Sequence, residues 1–115
     1  MAHIDVTTDD VVRQIALRHG QDARKLLNGR CQYITIWKPL RGPLHDYPLA
    51  LCDRQSIDPR RDLEPQDIVD RDGLQENVHI YHRPQHRWHY LSGQNEFELI
   101  VFRQADTREP GGFGK

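Results

Sequence analysis

Three features of the sequence predict a mainly β protein with a short helical insert. Apolar residues recur at helical spacing only within about residues 8–29. From Cys31 onward they alternate with a period of two, the repeat of a β-strand. Turn-forming residues then separate several short apolar runs. At 115 residues and 13.5 kDa the chain is large enough for one core, so residues 1–115 are interpreted as a single domain.

Composition argues against two classes of partner. Sixteen basic and seventeen acidic side chains give a formal net charge of −1, and no block of like charge is longer than Arg60-Arg61. A surface that binds nucleic acid or anionic lipid needs concentrated positive charge, so neither partner is expected. The longest apolar runs are also far shorter than a membrane span. Neither Cys31 nor Cys52 lies in a CxxC arrangement, and we expect a reduced, buried pair in a cytoplasmic protein.

The N-terminal quarter of the sequence predicts an extended segment followed by two helical turns. Residues 1–6 are extended in character. The run Thr7-Thr8-Asp9-Asp10 supplies a helix N-cap with acidic residues in the first turn, where the helix dipole favours them, and Gly20 ends the helix. A second short helix is expected with Asp22 as its N-cap and Gly29 as its C-terminal glycine.

A proline-rich corner is expected to join the first two main strands. Residues 33–37 and 49–52 are strand-like, and prolines at positions 39, 43 and 48 lie between them. Proline fixes φ and lacks a backbone N–H, so this segment can be neither a helix nor a central strand. The sequence therefore predicts two strands joined by a stiff turn.

The second half of the sequence predicts a long loop and three further strands. Residues 54–76 are rich in Asp, Arg, Gln and Pro and are interpreted as a surface loop with one helical turn, for which a lid is one open role. Three strands in a meander follow, at residues 78–82, 87–91 and 97–102, separated by turns at 83–86 and 92–95. The glycine-rich tail, residues 108–115, resembles a connection to a further segment.

The triplet His3-Ile4-Asp5 is the leading candidate for a metal site. Residues i and i+2 of an extended segment point to the same face, so the imidazole and the carboxylate can converge on one ion. The facial triad of non-haem Fe(II) oxygenases consists of two histidines and one carboxylate, and this pair supplies two of the three. A frayed, solvated terminus is the alternative interpretation.

Two other polar groups have structural alternatives. Four histidines, at positions 79, 82, 86 and 89, suggest zinc by their number, but their spacing places neighbours on opposite strand faces. Surface or cross-strand histidines are therefore favoured. Arg83, Arg87 and Trp88 suggest a carboxylate clamp beside an aromatic wall. The favoured alternative is a solvent-facing arginine and a tryptophan in the core.

Three segments, in this order, resemble the AsaB-type hydroxylase/desaturase family. They are His3-Ile4-Asp5-Val6-Thr7, the stretch from Trp37-Lys38-Pro39 to Pro48-Leu49-Ala50-Leu51-Cys52-Asp53, and His86-Arg87-Trp88-His89-Tyr90. The resemblance extends from His3 to about Gly112. The chain has His89 and Tyr90 where two aromatics are usual in the family, and Thr35 where asparagine is common.

The resemblance implies a partial double-stranded β-helix of the jelly-roll or cupin-like type. It also implies the chemistry of Fe(II)/2-oxoglutarate-dependent oxygenases, which hydroxylate or desaturate small molecules in secondary metabolism. By this resemblance, His3 and Asp5 bind Fe(II), and 2-oxoglutarate is the second cofactor. Tyr33, Thr35 and Trp37, which share one strand face, are candidates for contacts with the substrate.

In this family the third metal ligand is a histidine in a Pro-His-Thr segment, and an arginine that binds 2-oxoglutarate follows it. The sequence ends at Lys115, before both positions. Either the chain is truncated at both ends relative to the family, or the missing ligand and strands come from another chain or copy. In the second case a homo- or hetero-oligomer would complete the sheet. The alternative function is a non-catalytic β-domain that serves as a binding or assembly module.

Overall fold

The computed structural model describes residues 2–71 and 73–109, so most of the predicted connecting tail lies outside the described residues. Seven strands and three helices make up this part of the chain. The helices are α1 (Thr8–His19), α2 (Ala23–Leu27) and α3 (Pro59–Asp62). The strands are β1 (His3–Ile4), β2 (Gln32–Trp37), β3 (Ala50–Cys52), β4 (Leu63–Asp70), β5 (Gly73–Ile80), β6 (Trp88–Tyr90) and β7 (Ile100–Asp106). The predicted fold class, mainly β with a short helical insert, is confirmed.

The helical insert begins and ends where the sequence predicts. The hydroxyl of Thr7 accepts a hydrogen bond from the backbone N–H of Asp10 at 3.0 Å, which caps α1. Gly20 follows α1 with φ of 50°, a conformation that glycine adopts at little cost. The N-cap predicted at Asp22 is wrong, because its side chain makes no capping bond and its backbone is already helical. A 3₁₀ turn, Gly20–Asp22, leads directly into α2.

The strands pair in a nested antiparallel order, and the predicted meander is wrong. Strand β2 pairs with β7, β3 pairs with β6, and β4 pairs with β5, while β1 pairs with the other edge of β5. The proline-rich corner explains why β2 and β3 do not form a hairpin. Its backbone pairs instead with the turn before β7, where the Leu44 N–H donates to the Gln94 carbonyl at 2.8 Å. Each strand of the first half is thereby directed to a partner in the second half.

Gly42 is where this corner approaches the opposite turn most closely. A Cβ at this position would lie 2.7 Å from the Asn95 Cα and 2.9 Å from the Glu96 backbone nitrogen. Both atoms belong to the backbone and cannot move aside alone. Only glycine at this position therefore lets the corner lie this close to the turn at 95–96.

The long loop predicted at residues 54–76 is wrong. The segment contains a 3₁₀ turn (Arg54–Ser56), α3, all of β4 and the first half of β5. Strand β4 was not evident in the sequence because nearly all of its side chains are exposed, which removes the alternating pattern. It is an edge strand in the order β1-β5-β4, so Pro65 is tolerated there. The ladder from Leu63↔Ile80 to Asp70↔Gly73 holds it in place.

Two strands in the second half are displaced from their predicted positions. Strand β5 starts at Gly73 and ends at Ile80, whereas residues 78–82 were expected. Strand β7 covers Ile100–Asp106, whereas residues 97–102 were expected. The turn at 83–86 is confirmed by a hydrogen bond from the His86 N–H to the Arg83 carbonyl at 3.1 Å.

The buried apolar core of the described residues is small. Val6, Val11 and Ala105 form one buried cluster, with Ile15 packed against it, so α1 is held against the end of β7. Val78 of β5 is fully buried. The β2–β7 sheet leaves a cross-strand apolar pair exposed, with Ile36 at 64% and Val101 at 60% exposure. Exposed apolar side chains of this kind are suited to contact with another chain.

Candidate metal site and cavity

The N-terminal segment is fixed to β5 along its length. His3 is paired with His79, and Ile4 is paired with the fully buried Val78. Backbone hydrogen bonds on either side of these pairs join Ile80 to Ala2 at 3.1 Å and Thr7 to Glu76 at 3.2 Å. A frayed terminus does not make such contacts, so they disfavour the alternative interpretation of this segment.

His3 and Asp5 converge as their i and i+2 positions predict. The His3 Nε2 atom lies 2.9 Å from the Asp5 Oδ1 atom, and the two side chains are 49% and 51% exposed. Both residues line a cavity of about 820 Å³. The pair is therefore open to a ligand from the cavity side while its backbone is held by β5.

Gln104 holds Asp5 from the opposite side, and sequence reasoning did not identify it. The side-chain amide of Gln104 donates from Nε2 to the Asp5 Oδ2 atom at 2.5 Å. Its Oε1 atom accepts a hydrogen bond from the Asp5 backbone N–H at 3.3 Å. The two residues are 99 positions apart, and no local pattern in the sequence links them.

The cavity wall is largely apolar and comes from several elements. Trp88 of β6 and Phe102 of β7 contribute aromatic side chains, and Arg54 and Arg103 contribute cations. Arg103 donates to the Asp106 carboxylate at 2.7 Å and to Glu109 at 3.2 Å, while its buried Nε has no hydrogen-bond partner among the described residues. Aliphatic side chains make up much of the rest of the lining: Ile4, Leu49, Leu51, Ile57, Leu63 and Ile80.

The three predicted substrate-contact residues lie on β2. Thr35 is paired with Phe102 and Trp37 with Ile100, and Tyr33 is 46% exposed. The residues that line the cavity beside His3 do not include Tyr33, Thr35 or Trp37. Contact between these side chains and a substrate stays a prediction.

His86 belongs to a buried polar network. Its Nε2 atom lies 3.0 Å from the Asp62 Oδ2 atom, and both side chains are 1% exposed. The Asp62 carboxylate also accepts from Arg83 at 2.8 Å and from the Asp58 backbone N–H at 2.9 Å. The hydrogen bond from His86 and then that from Arg83 hold the pKa of Asp62 well below its usual range. This network joins α3 to the turn that precedes β6.

Arg87 and Trp88 do not form the carboxylate clamp beside an aromatic wall that the sequence suggested. Arg87 donates to the Asp53 carboxylate at 2.6 Å, which lowers the pKa of Asp53, while Trp88 lines the cavity. The favoured expectation of a core tryptophan is thus wrong, since Trp88 is 44% exposed. Within residues 2–71 and 73–109 no group of three or more His, Cys, Asp or Glu side chains is arranged to hold a metal.

The donor chemistry at His3 and Asp5 fits Fe(II). An imidazole nitrogen and a carboxylate oxygen are two of the three protein ligands that the facial triad requires. With 2.9 Å between the His3 Nε2 and Asp5 Oδ1 atoms, and both residues lining one cavity, the two atoms are close enough to bind the same ion. The described part of this chain thus offers two donors for such a site.

The fold and the site together define a class of protein. Nested antiparallel strand pairs beside a cavity with a His-x-Asp pair form a partial double-stranded β-helix of the cupin-like class. A solved structure of the iron and alpha-ketoglutarate-dependent endoperoxidase NvfI has a similar fold, with a TM-score of 0.83 at 26% sequence identity. That alignment covers 97% of this chain and 44% of the endoperoxidase.

Sequence relatives agree with this class. Aspirochlorine biosynthesis protein N of Aspergillus oryzae is 36% identical over 84% of this chain, and the hydroxylase/desaturase CTB9 of Cercospora beticola is 31% identical over 95% of it. The model of the oxidoreductase/YMDC permease-like domain family matches residues 1–114. The chain belongs to this oxidoreductase family and to the AsaB-type hydroxylases/desaturases.

The chain is shorter than the proteins that it matches. It spans 41% of the aspirochlorine protein and 36% of CTB9. The part of the chain that the structure describes contains no helix long and apolar enough to cross a membrane.

Proposed function

We propose that the chain is part of an Fe(II)- and 2-oxoglutarate-dependent hydroxylase or desaturase that oxidises a small molecule of secondary metabolism. His3 and Asp5 are its metal ligands in this proposal. The convergence of these two side chains on the rim of an 820 Å³ cavity is the observation that carries it. The names of the relatives, hydroxylase/desaturase and iron- and alpha-ketoglutarate-dependent endoperoxidase, support the same chemistry.

The residues of this chain have distinct tasks in the proposed reaction. When bound, Fe(II) and 2-oxoglutarate would let dioxygen act as the oxidant that removes hydrogen from a substrate C–H bond, with 2-oxoglutarate oxidised to succinate and CO₂. His3 and Asp5 hold the metal from one side and leave its other positions open. The apolar wall, with Trp88 and Phe102, packs against the carbon skeleton of the substrate and excludes water. Arg54 and Arg103 line the same cavity, and each is paired with Glu109 of this chain.

A third protein ligand, a histidine by the family resemblance, completes the metal site in this proposal. The proposal also includes a cytoplasmic location, in line with two free thiols, Cys31 and Cys52. Both cysteines are partly buried and stand in different strand regions of the fold.

Anaerobic metal titration tests the ligand assignment directly. We expect the wild-type chain to bind Fe(II) or Co(II), and we expect His3→Ala and Asp5→Ala each to lower the affinity at least about tenfold. His19→Ala is the matched control, because His19 is exposed in the last turn of α1. Succinate formation from 2-oxoglutarate is then measured for the same variants. Unchanged metal binding in both ligand variants would refute the proposal.

A second candidate function is a binding or assembly module, and the exposed pair Ile36 and Val101 favours it. Apolar side chains that stand exposed across two strands are suited to contact with another chain that completes the sheet. Sedimentation velocity at two protein concentrations measures this association. A strict monomer at both concentrations, with no partner-dependent shift, argues against this function.

A further inference from the structure

Gln104 contacts Asp5 through both ends of its side-chain amide. The Nε2 group donates to the carboxylate at 2.5 Å, and Oε1 accepts from the Asp5 backbone N–H at 3.3 Å. The chemistry of the partners allows only this orientation of the amide, since a flipped amide would set oxygen against carboxylate and NH₂ against N–H. Gln104 therefore fixes the main chain and the side chain of Asp5 together.

An irregularity in β7 directs Gln104 toward Asp5. Arg103 is paired with Ile34 and Ala105 with Tyr33, which leaves Gln104 without a partner residue on β2. Such a bulge turns a side chain away from the regular alternation, and bulges are common beside active sites. Gln104 is also only 6% exposed, so its side chain is confined.

The end of β7 that carries Gln104 is rigidly anchored. Asp106, which is 1% exposed, accepts hydrogen bonds from Arg30 at 2.5 Å, from Gln32 at 2.9 Å and from Arg103 at 2.7 Å. These contacts tie β7 to β2 and to the segment before it. A side chain projecting from this anchored end is a stable support for a ligand on another element.

The two oxygens of Asp5 have different partners as a result. Oδ2 receives the Gln104 amide, while Oδ1 lies 2.9 Å from the His3 Nε2 atom. Hydrogen bonds to a metal-binding carboxylate fix its orientation and tune the metal. The carboxylate oxygen that Gln104 does not contact is thus the one beside the histidine.

We propose that Gln104 is a positioning residue that holds Asp5 so that Oδ1 and the His3 imidazole bind one metal ion. This rests on the proposed function, because it assumes that His3 and Asp5 are the ligands. Gln104 itself does not touch the metal in this assignment, so it acts only through Asp5.

Co(II) titration with visible absorption spectroscopy tests this role, because the d–d bands report ligand geometry independently of turnover. Gln104→Met removes both hydrogen bonds at similar volume, and we expect Co(II) affinity to fall about tenfold or more with altered bands. Gln104→Asn keeps the amide but withdraws it by one methylene, and we expect a change in the same direction. Gln94→Met is the matched control, because Gln94 is a buried glutamine that bonds instead to the Glu98 carbonyl at 2.9 Å.

The outcomes separate this inference from the function on which it rests. Loss of binding in His3→Ala and Asp5→Ala, with wild-type affinity and bands in both Gln104 variants, overturns the positioning role and leaves the metal site standing. Equal losses of affinity in Gln104→Met and Gln94→Met, in step with their melting temperatures, overturn it as a general effect of stability. Unchanged binding in His3→Ala and Asp5→Ala refutes the metal site and the positioning role together.

Discussion

Two histidine–carboxylate pairs in this protein have nearly the same geometry and opposite surroundings. The His3–Asp5 distance is 2.9 Å and the His86–Asp62 distance is 3.0 Å. The side chains of the first pair are about half exposed, whereas those of the second are 1% exposed. The distance between the two groups therefore does not tell a ligand site from a structural contact.

The number of donors around each carboxylate explains the difference. Asp62 accepts from His86, Arg83 and the Asp58 backbone, so the protein itself uses both of its oxygens. Asp5 receives a side-chain donor on one oxygen and shares the other with His3 beside a cavity. A buried carboxylate with a full set of donors stabilises the fold, whereas a half-open one retains capacity for a ligand.

Asp62→Asn is expected to have the largest effect on stability of the changes considered. It removes the charge that pairs with Arg83 and His86 in a buried site, so those groups lose their partner. We expect the melting temperature to fall further than in any variant below, with Co(II) binding retained at a temperature where the variant is folded. Asp5→Asn is the matched change in the open pair. It should lose Co(II) binding while the melting temperature stays near that of the wild type, and a reversed pattern contradicts the comparison.

The buried pair should also make stability depend on acid. The pKa of Asp62 is lowered in the folded state, so its stabilising contribution is present above the ordinary aspartate pKa of about 4 and is lost as pH falls toward the folded value. We expect the difference in unfolding free energy between the wild type and Asp62→Asn to shrink below about pH 4. Urea unfolding of both proteins between pH 7 and pH 2 measures it. A difference that stays constant over this range contradicts the assignment.

Gly42→Ala is expected to have a smaller effect, through packing alone. Its Cβ would meet the Asn95 Cα at 2.7 Å, so the corner must separate from the opposite turn. Overpacking of this kind costs about 1–3 kcal/mol. Urea unfolding measures the loss, and Co(II) titration should give the wild-type affinity because Gly42 does not line the cavity. Wild-type stability in Gly42→Ala would contradict the close contact between the corner and the turn.

The sequence predicted the parts of the molecule that depend on near neighbours. The N-cap within residues 7–10, the end of α1 at Gly20 and the convergence of His3 with Asp5 each follow from residues within a few positions. Strand β4 was missed because its side chains are exposed on both faces, and only the ladder with β5 makes it a strand. The role of His3 and Asp5 as metal ligands stays a prediction.

Contacts between distant segments could not be predicted from local patterns in the sequence. The partner of Asp5, Gln104, comes from the far end of the described chain and reaches it only through a strand irregularity. The nested pairing depends on the corner meeting residues 94–96, and neither segment alone encodes that contact. For the same reason the Asp62–His86 pair, whose members are 24 positions apart, was not foreseen.

From the nested strand order we also expect a particular order of strand pairing during folding. The β4–β5 hairpin closes between Asp70 and Gly73, whereas Gln32 of β2 bonds to Asp106 of β7 across 74 positions. The entropy lost on loop closure grows with the length of the loop. We therefore expect the β4–β5 hairpin to form first, the outer strand pairs to form after it, and the contact between Asp5 and Gln104 to form last. Pulse-labelling hydrogen exchange should then protect the amides of β4 and β5 before those of β2 and β7. On this pathway Gln104 can hold the Asp5 carboxylate only after β7 has paired with β2.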